Sequence, residues 1–224
     1  MQRATEGWGD ALRETLPLGA IALAVTLLRL AGERLRWSEA WFSRETGGIV
    51  PSRLGWVVGI TWLALPFGAW LAARLVARGE APTSSRRAIG LAFLGAVLFL
   101  ALLRLAPQLG LGFPTVLLAI WAAAVAGAAV AWVAWPALAR VLLVYGLLSR
   151  VPVVVVMFLA LRARWGTHYD YADSPMLQQM PFWTGFTWLA LFPQLVFWVG
   201  FTIIAGLLAG TLTGALSPAR GGRR

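Results

Sequence analysis

Apolar runs of about 20 residues recur along most of this sequence. A helix needs about 20 apolar residues to cross roughly 30 Å of hydrocarbon, whereas a helix of a soluble protein carries a polar face that interrupts such runs. Composition agrees, because 59% of the 224 residues are hydrophobic and 12% are charged, against about 25% charged residues in soluble domains. The pattern predicts an all-α, polytopic transmembrane helix bundle that forms a single domain over residues 1–224.

The apolar runs predict about six spans, and five to seven are compatible with the pattern. The fourth and fifth runs are separated only by Pro136, and Pro193 predicts a kink in the sixth. A break of the fifth run at Pro152, and an interfacial helix at the start of the sixth, remain alternatives. The predicted spans are residues 17–31, 55–76, 88–106, 114–135, 137–161 and 182–216, with outer loops at 32–54 and 162–181.

The arginines indicate orientation and location. With six spans, the side that holds both termini carries more arginines than the other side, which is typical of the cytoplasmic face. We therefore expect a protein of the bacterial cytoplasmic (inner) membrane with both termini in the cytoplasm. The net charge of +10 would also suit nucleic acid, but these arginines lie at the ends of apolar runs. The expected partner is therefore the lipid bilayer and not nucleic acid.

The sequence excludes several kinds of chemistry. It has no cysteine, and all 19 basic residues are arginine, so thiolate, disulfide and lysine Schiff-base chemistry are impossible. The signature motifs of serine hydrolases, zinc proteases and nucleotide-binding proteins are missing. We therefore expect no enzymatic activity, no cofactor and no metal site.

Arg150 is a candidate functional residue because it lies near the middle of the fifth apolar run. A central arginine costs roughly 2.5–3.5 kcal/mol on insertion scales, and an ionisable residue at this depth is a functional hypothesis by default. No acidic residue lies within a predicted span, so its partner would be backbone, a loop acid, another chain, lipid phosphate or an anionic substrate. Alternatively, Arg150 only bonds the carbonyls that Pro152 leaves free.

The second candidate is the polar segment after the fifth run, which contains the one histidine of the chain. His168 can act as an acid or base near neutral pH, and Asp170 or Asp173 would orient it, with Tyr169 beside them. Such pairing depends on spatial geometry. The alternative is a loop that hydrogen-bonds to itself, with its tyrosines at the lipid headgroups.

Glycines four residues apart predict close contact between helices, because they expose backbone along one helix face. Gly206, Gly210 and Gly214 form such a stripe in the sixth run, and Gly55 and Gly59 form a shorter one in the second. The neighbouring helix belongs either to this chain or to a second subunit.

Three functions follow as hypotheses. The first is a non-enzymatic subunit or scaffold that packs against other membrane subunits or forms a homo-oligomer. The alternative is a small transporter or channel for an anionic or lipid-like solute that uses Arg150. The third is a membrane enzyme that acts on lipid headgroups through His168 and Asp170.

Overall fold

The computed structural model describes residues 2–44, 57–170 and 178–217. These residues form an all-α bundle and contain no strand. The prediction of an all-α transmembrane bundle is therefore confirmed. The helices are α1 (Gln2–Arg34), α2 (Thr61–Ala77), α3 (Ser85–Leu105), α4 (Thr115–Ala134), α5 (Pro136–Ala163) and α6 (Phe182–Leu216).

Successive helices alternate in direction. For example, Gly68 lies against Gly206 and Ala72 lies against Gly210, so α2 and α6 run parallel. By the same contacts, α2, α4 and α6 run opposite to α1, α3 and α5. We call the end where α1 begins and α6 ends the terminal end, and the opposite end, where α1 ends and α2 begins, the loop end.

The last helix, α6, is the central one. It packs against α2, α3, α4 and α5, whereas α1 packs chiefly against α5. Close packing depends on its glycine stripe, because a Cβ added at Gly206 would lie 2.5 Å from the Leu142 side chain and one at Gly214 would lie 3.0 Å from Trp135. The stripe of Gly206, Gly210 and Gly214 therefore contacts helices of this chain.

The helix α1 is longer than the predicted first span, residues 17–31. It runs through Pro17 and extends far towards the N-terminus. Ala11, Thr15, Leu18 and Ala22 are buried at helical spacing, and this stripe packs against α5. The apolar run alone underestimated the helix, because its first turns are amphipathic and are stabilised by lateral packing.

The helix α2 is shorter than the predicted second span, residues 55–76. At 1.5 Å per residue it is roughly 25 Å long, so it is one of the shorter apolar helices. In the part of the chain that the structure describes, the five other helices are long and apolar enough to cross a membrane. The Trp62 indole donates to the Val57 carbonyl at 2.9 Å and holds the preceding residues in a turn. Gly59 therefore lies before the helix, not on a helical stripe, and Gly55 lies outside the described residues.

The remaining bounds settle the alternatives left open by the sequence. α5 is one helix that passes through Pro152 without a break. α6 is continuous from its first residue, so the structure has no separate interfacial helix there. The region around Pro193 contains the π-helical turns Thr187–Leu191 and Pro193–Trp198. The described parts of the two outer loops begin at residues 35 and 164.

Candidate functional site

Arg150 lies inside the bundle, near the midpoint of α5, and is 4% exposed. Its Nη1 donates to Gln194 Oε1 of α6 at 3.3 Å, and its Nη2 donates to Thr61 Oγ1 of α2 at 3.2 Å. The guanidinium carbon lies 4.9 Å from the centre of the Trp198 ring, at cation–π distance. Three helices thus surround one cationic group.

Among the described residues, the contacts of Arg150 are with neutral groups. In the described part of the chain, no carboxylate forms an ion pair with it. Removing a charge from water costs several kcal/mol, and hydrogen bonds with neutral groups offset only part of that cost. The described residues therefore leave the positive charge of Arg150 uncompensated.

Two irregular helical segments place these partners at Arg150. Thr61 is the first residue of the short α2, so the amino-terminal end of that helix lies beside the guanidinium. Gln194 and Trp198 both lie in the π-helical turns that follow Pro193, which lacks the N–H needed for regular helix bonding. Such π-helical turns occur frequently at functional sites.

Two buried polar atoms at this site have no hydrogen-bond partner among the described residues. They are Arg150 Nε and the hydroxyl of Tyr145, a residue that is 1% exposed and packs edge-on against Phe67. An unsatisfied buried polar group costs about 1–3 kcal/mol. Both atoms can donate, and the amino-terminal end of α2 adds positive potential. This arrangement can bind an anion.

The second cluster is centred on Glu33, at the end of α1, and not on the aspartates that the sequence suggested. Glu33 is 1% exposed. Its Oε1 lies 2.5 Å from His168 Nδ1 and accepts from Arg29 Nε at 3.0 Å. Its Oε2 accepts from the His168 backbone N–H at 2.9 Å. The acid that orients His168 is therefore Glu33.

Asp170 closes the loop that carries His168. Its Oδ1 accepts from the Thr167 backbone N–H at 2.6 Å and from the Thr167 hydroxyl at 2.9 Å, and its Oδ2 accepts from the Gly166 N–H at 2.8 Å. The predicted pairing of His168 with Asp170 is thus wrong, because this carboxylate is committed to the loop backbone. Asp173 lies outside the described residues.

Tyr169 points into the bundle and not to the headgroups. It is buried, its hydroxyl donates to the Thr26 carbonyl at 3.1 Å, and its ring centre lies 3.8 Å from that of His168. Burial raises the pKa of Tyr169 above its usual value. Burial also lowers the pKa of His168, against the opposing effect of its bond to Glu33.

Sequence reasoning singled out Arg150 and His168 but missed Glu33, Thr61, Tyr145 and Gln194. Glu33 followed the end of an apolar run and was assigned to the outer loop. The signal that could have found it is Arg29 four residues earlier, which is the spacing of an ion pair on a continuing helix. Among the described residues, no group of three or more His, Asp or Glu side chains could hold a metal ion.

The comparisons with known proteins give no relative. No family model matches the chain, and neither a curated protein nor a solved structure matches it. The two clusters are therefore interpreted from their own chemistry.

Proposed function

We propose that this chain is a multi-pass protein of the bacterial cytoplasmic membrane, with both termini in the cytoplasm, that carries a small monoanion through its helix bundle. One observation carries the proposal. Arg150 is buried without an acidic partner in the described part of the chain, and its Nε and the nearby Tyr145 hydroxyl have no hydrogen-bond partner there. A bound anion would supply both missing acceptors.

The charge of the site selects a monoanion. One guanidinium neutralises one negative charge, whereas a dianion would leave a net charge in a medium of low permittivity. The face of the guanidinium stacks on Trp198, and its Nε–H edge has no partner among the described residues. An arginine edge suits the paired oxygens of a carboxylate or a phosphodiester.

The closed surroundings of Arg150 favour a carrier over an open channel. The residue is almost fully buried, so an anion reaches it only after a conformational change. Residues 57–60, just before the start of α2 at Arg150, form turns instead of a regular helix, so the proposed route of entry runs from the loop end. Carriers that open to one side at a time hold their substrate at such a midplane site beside an interrupted helix.

The test is anion flux through proteoliposomes that contain the purified protein. The probes are radiolabelled lactate, as a soluble carboxylate, and a fluorescent phosphatidylglycerol, as a lipid-borne phosphodiester. We expect flux of one of them, and at least about a tenfold loss in Arg150→Gln, because each 1.4 kcal/mol of lost binding is tenfold. The exposed Arg104 at the end of α3 provides the matched control, Arg104→Gln. Equal flux in Arg150→Gln, or flux of neither probe, would overturn the proposal.

The subunit hypothesis loses its main support, because the glycines of α6 contact helices of this chain. It remains a prediction that affinity purification from native membranes, followed by mass spectrometry of intact complexes, tests directly. A partner at fixed stoichiometry would favour it.

The headgroup-enzyme hypothesis loses one of its two proposed catalytic groups, because the Asp170 carboxylate is bound to the loop backbone.

A further inference from the structure

We propose that Glu33 and His168 form a proton-binding pair that is coupled to the Arg150 site, so that the monoanion moves together with a proton. This inference rests on the proposed function and names its second substrate. Hydropathy alone does not predict such a pair, because no carboxylate lies in a predicted span. The structure supplies that carboxylate at the last turn of α1.

The pair has the geometry of a shared proton. A carboxylate oxygen and an imidazole nitrogen lie 2.5 Å apart, and the second carboxylate oxygen is fixed by the His168 backbone N–H. The Glu33 side chain is fully buried, whereas His168 is 21% exposed. A proton can therefore enter from the solvent at the loop end through the imidazole and reach the buried carboxylate.

The charged groups around the pair make its protonation state matter. Arg29 faces it from α1, and Asp170 and the Tyr169 hydroxyl face it from the loop. Among the described residues around the pair, two carboxylates face one guanidinium while His168 is neutral. Uptake of one proton makes the charge at the loop end more positive by one unit.

Tyr169 connects the two clusters. Its ring lies against His168, while its hydroxyl is buried beside α1. α1 runs parallel to α5 with Gly19 against Leu148, so the Thr26 carbonyl that accepts from this hydroxyl lies about five residues, or roughly 7–8 Å at 1.5 Å per residue, beyond Arg150 along the helix axes. Charges that are separated by about this distance interact strongly where water is excluded. When the pair is deprotonated, its negative charge lowers the electrostatic potential at Arg150 and weakens binding of an anion there. Protonation of the pair removes this effect.

Proton and anion should therefore bind cooperatively, and linkage requires the effect to be reciprocal. The proton binds the lone pair of the imidazole or a carboxylate oxygen, and the anion binds the guanidinium. No bond other than to that proton forms or breaks. One proton and one monoanion together carry no net charge, so a pH gradient, acidic on the side of the loop end, would drive accumulation.

The first test needs no substrate. His168 is the single histidine of the chain, so protein labelled with ¹⁵N-histidine and carrying no histidine tag gives one imidazole signal in liposomes. We expect its titration midpoint to rise in Arg150→Met, because a positive charge is removed, and to fall in Glu33→Gln, because the acceptor that favours the charged imidazole is lost. Arg104→Met serves as control and leaves the midpoint unchanged. An unchanged midpoint in Arg150→Met would overturn the coupling.

The second test uses lactate uptake into liposomes under an imposed pH gradient. We expect several-fold accumulation by the wild type, and in Glu33→Gln downhill exchange without gradient-driven accumulation. Arg150→Gln should lose both, which separates the failure of the anion site from the failure of the coupling. Accumulation by Glu33→Gln equal to that of the wild type would overturn the inference and leave the anion site standing. Conversely, a wild type that moves neither lactate nor phosphatidylglycerol would overturn the proposed function, and proton coupling with it.

Discussion

The terminal end and the core of this bundle differ in how their arginines are paired. At the terminal end, the Glu14 carboxylate accepts from Arg74 Nε at 2.7 Å and from Arg78 Nη2 at 2.6 Å, and both arginines are about half exposed. In the core, Arg150 contacts only neutral groups among the described residues and is almost fully buried. The first arrangement joins α1 to α2 and satisfies its charges, whereas the second leaves a charge to be satisfied by something else.

Replacement of Arg150 should have the largest effect on stability and should separate the role of the core charge from that of the charges at the terminal end. Replacing a buried ion pair by apolar residues of similar volume is often neutral or stabilising by about 1–4 kcal/mol, and we expect a similar gain where the buried charge has no ionic partner among the described residues. We expect Arg150→Met to raise the melting temperature by roughly 2–16 °C, at about 2–4 °C per kcal/mol for a chain of this size, while anion flux is lost. Thermal unfolding in detergent, followed by tryptophan fluorescence, measures the effect. A large drop in the melting temperature would instead assign Arg150 a structural role.

Replacement of Glu14 should act in the opposite direction and more weakly. Glu14→Gln removes the charge that accepts both arginines at the terminal end. Because the arginines are half exposed, solvent screens the pairs, and we expect a loss of about 1 kcal/mol, or roughly 2–4 °C in the melting temperature. Anion flux should be unchanged. The control Glu80→Gln alters an exposed acid with one weak ion pair at 3.6 Å and should leave both quantities unaffected.

Acid should loosen the loop end and leave the terminal end intact, which is the smallest expected effect. Burial lowers the pKa of His168 in the docked loop, whereas an undocked histidine titrates near 6.5. The undocked loop therefore binds more protons below about pH 6.5, and docking weakens as the pH falls. Amide hydrogen exchange of residues 164–170, corrected for intrinsic rates, should be faster at pH 5.5 than at pH 7.5.

The matched variant for this experiment is His168→Gln, which cannot titrate. It should show the same corrected exchange rate at both pH values. If wild type and variant responded to acid alike, another group would control the docking of the loop.

The helical architecture could be predicted from the sequence, because an apolar segment long enough to cross the bilayer has few alternatives to forming a helix. It failed at bounds that depend on lateral contacts. The first turns of α1 are amphipathic and pack against α5, and the turn before α2 depends on the Trp62 indole. Neither is visible in the hydropathy of the segment itself.

The candidate site was predictable only in part, for a similar reason. Arg150 and His168 stand out as single residues, but their partners are distant in sequence. Gln194 and Thr61 lie 44 and 89 positions from Arg150, and Glu33 lies 135 positions from His168. With one sequence, such pairs emerge only when the helices are assembled in space.

The central position of α6 has a consequence for biosynthesis. A ribosome delivers helices to the membrane in chain order, and the helix that contacts α2, α3, α4 and α5 follows all four of them. Until it is inserted, α2 lacks the glycine surface against which it packs, and Arg150 lacks both Gln194 and Trp198. The surroundings of Arg150 can therefore be completed only after α6 has entered the bilayer.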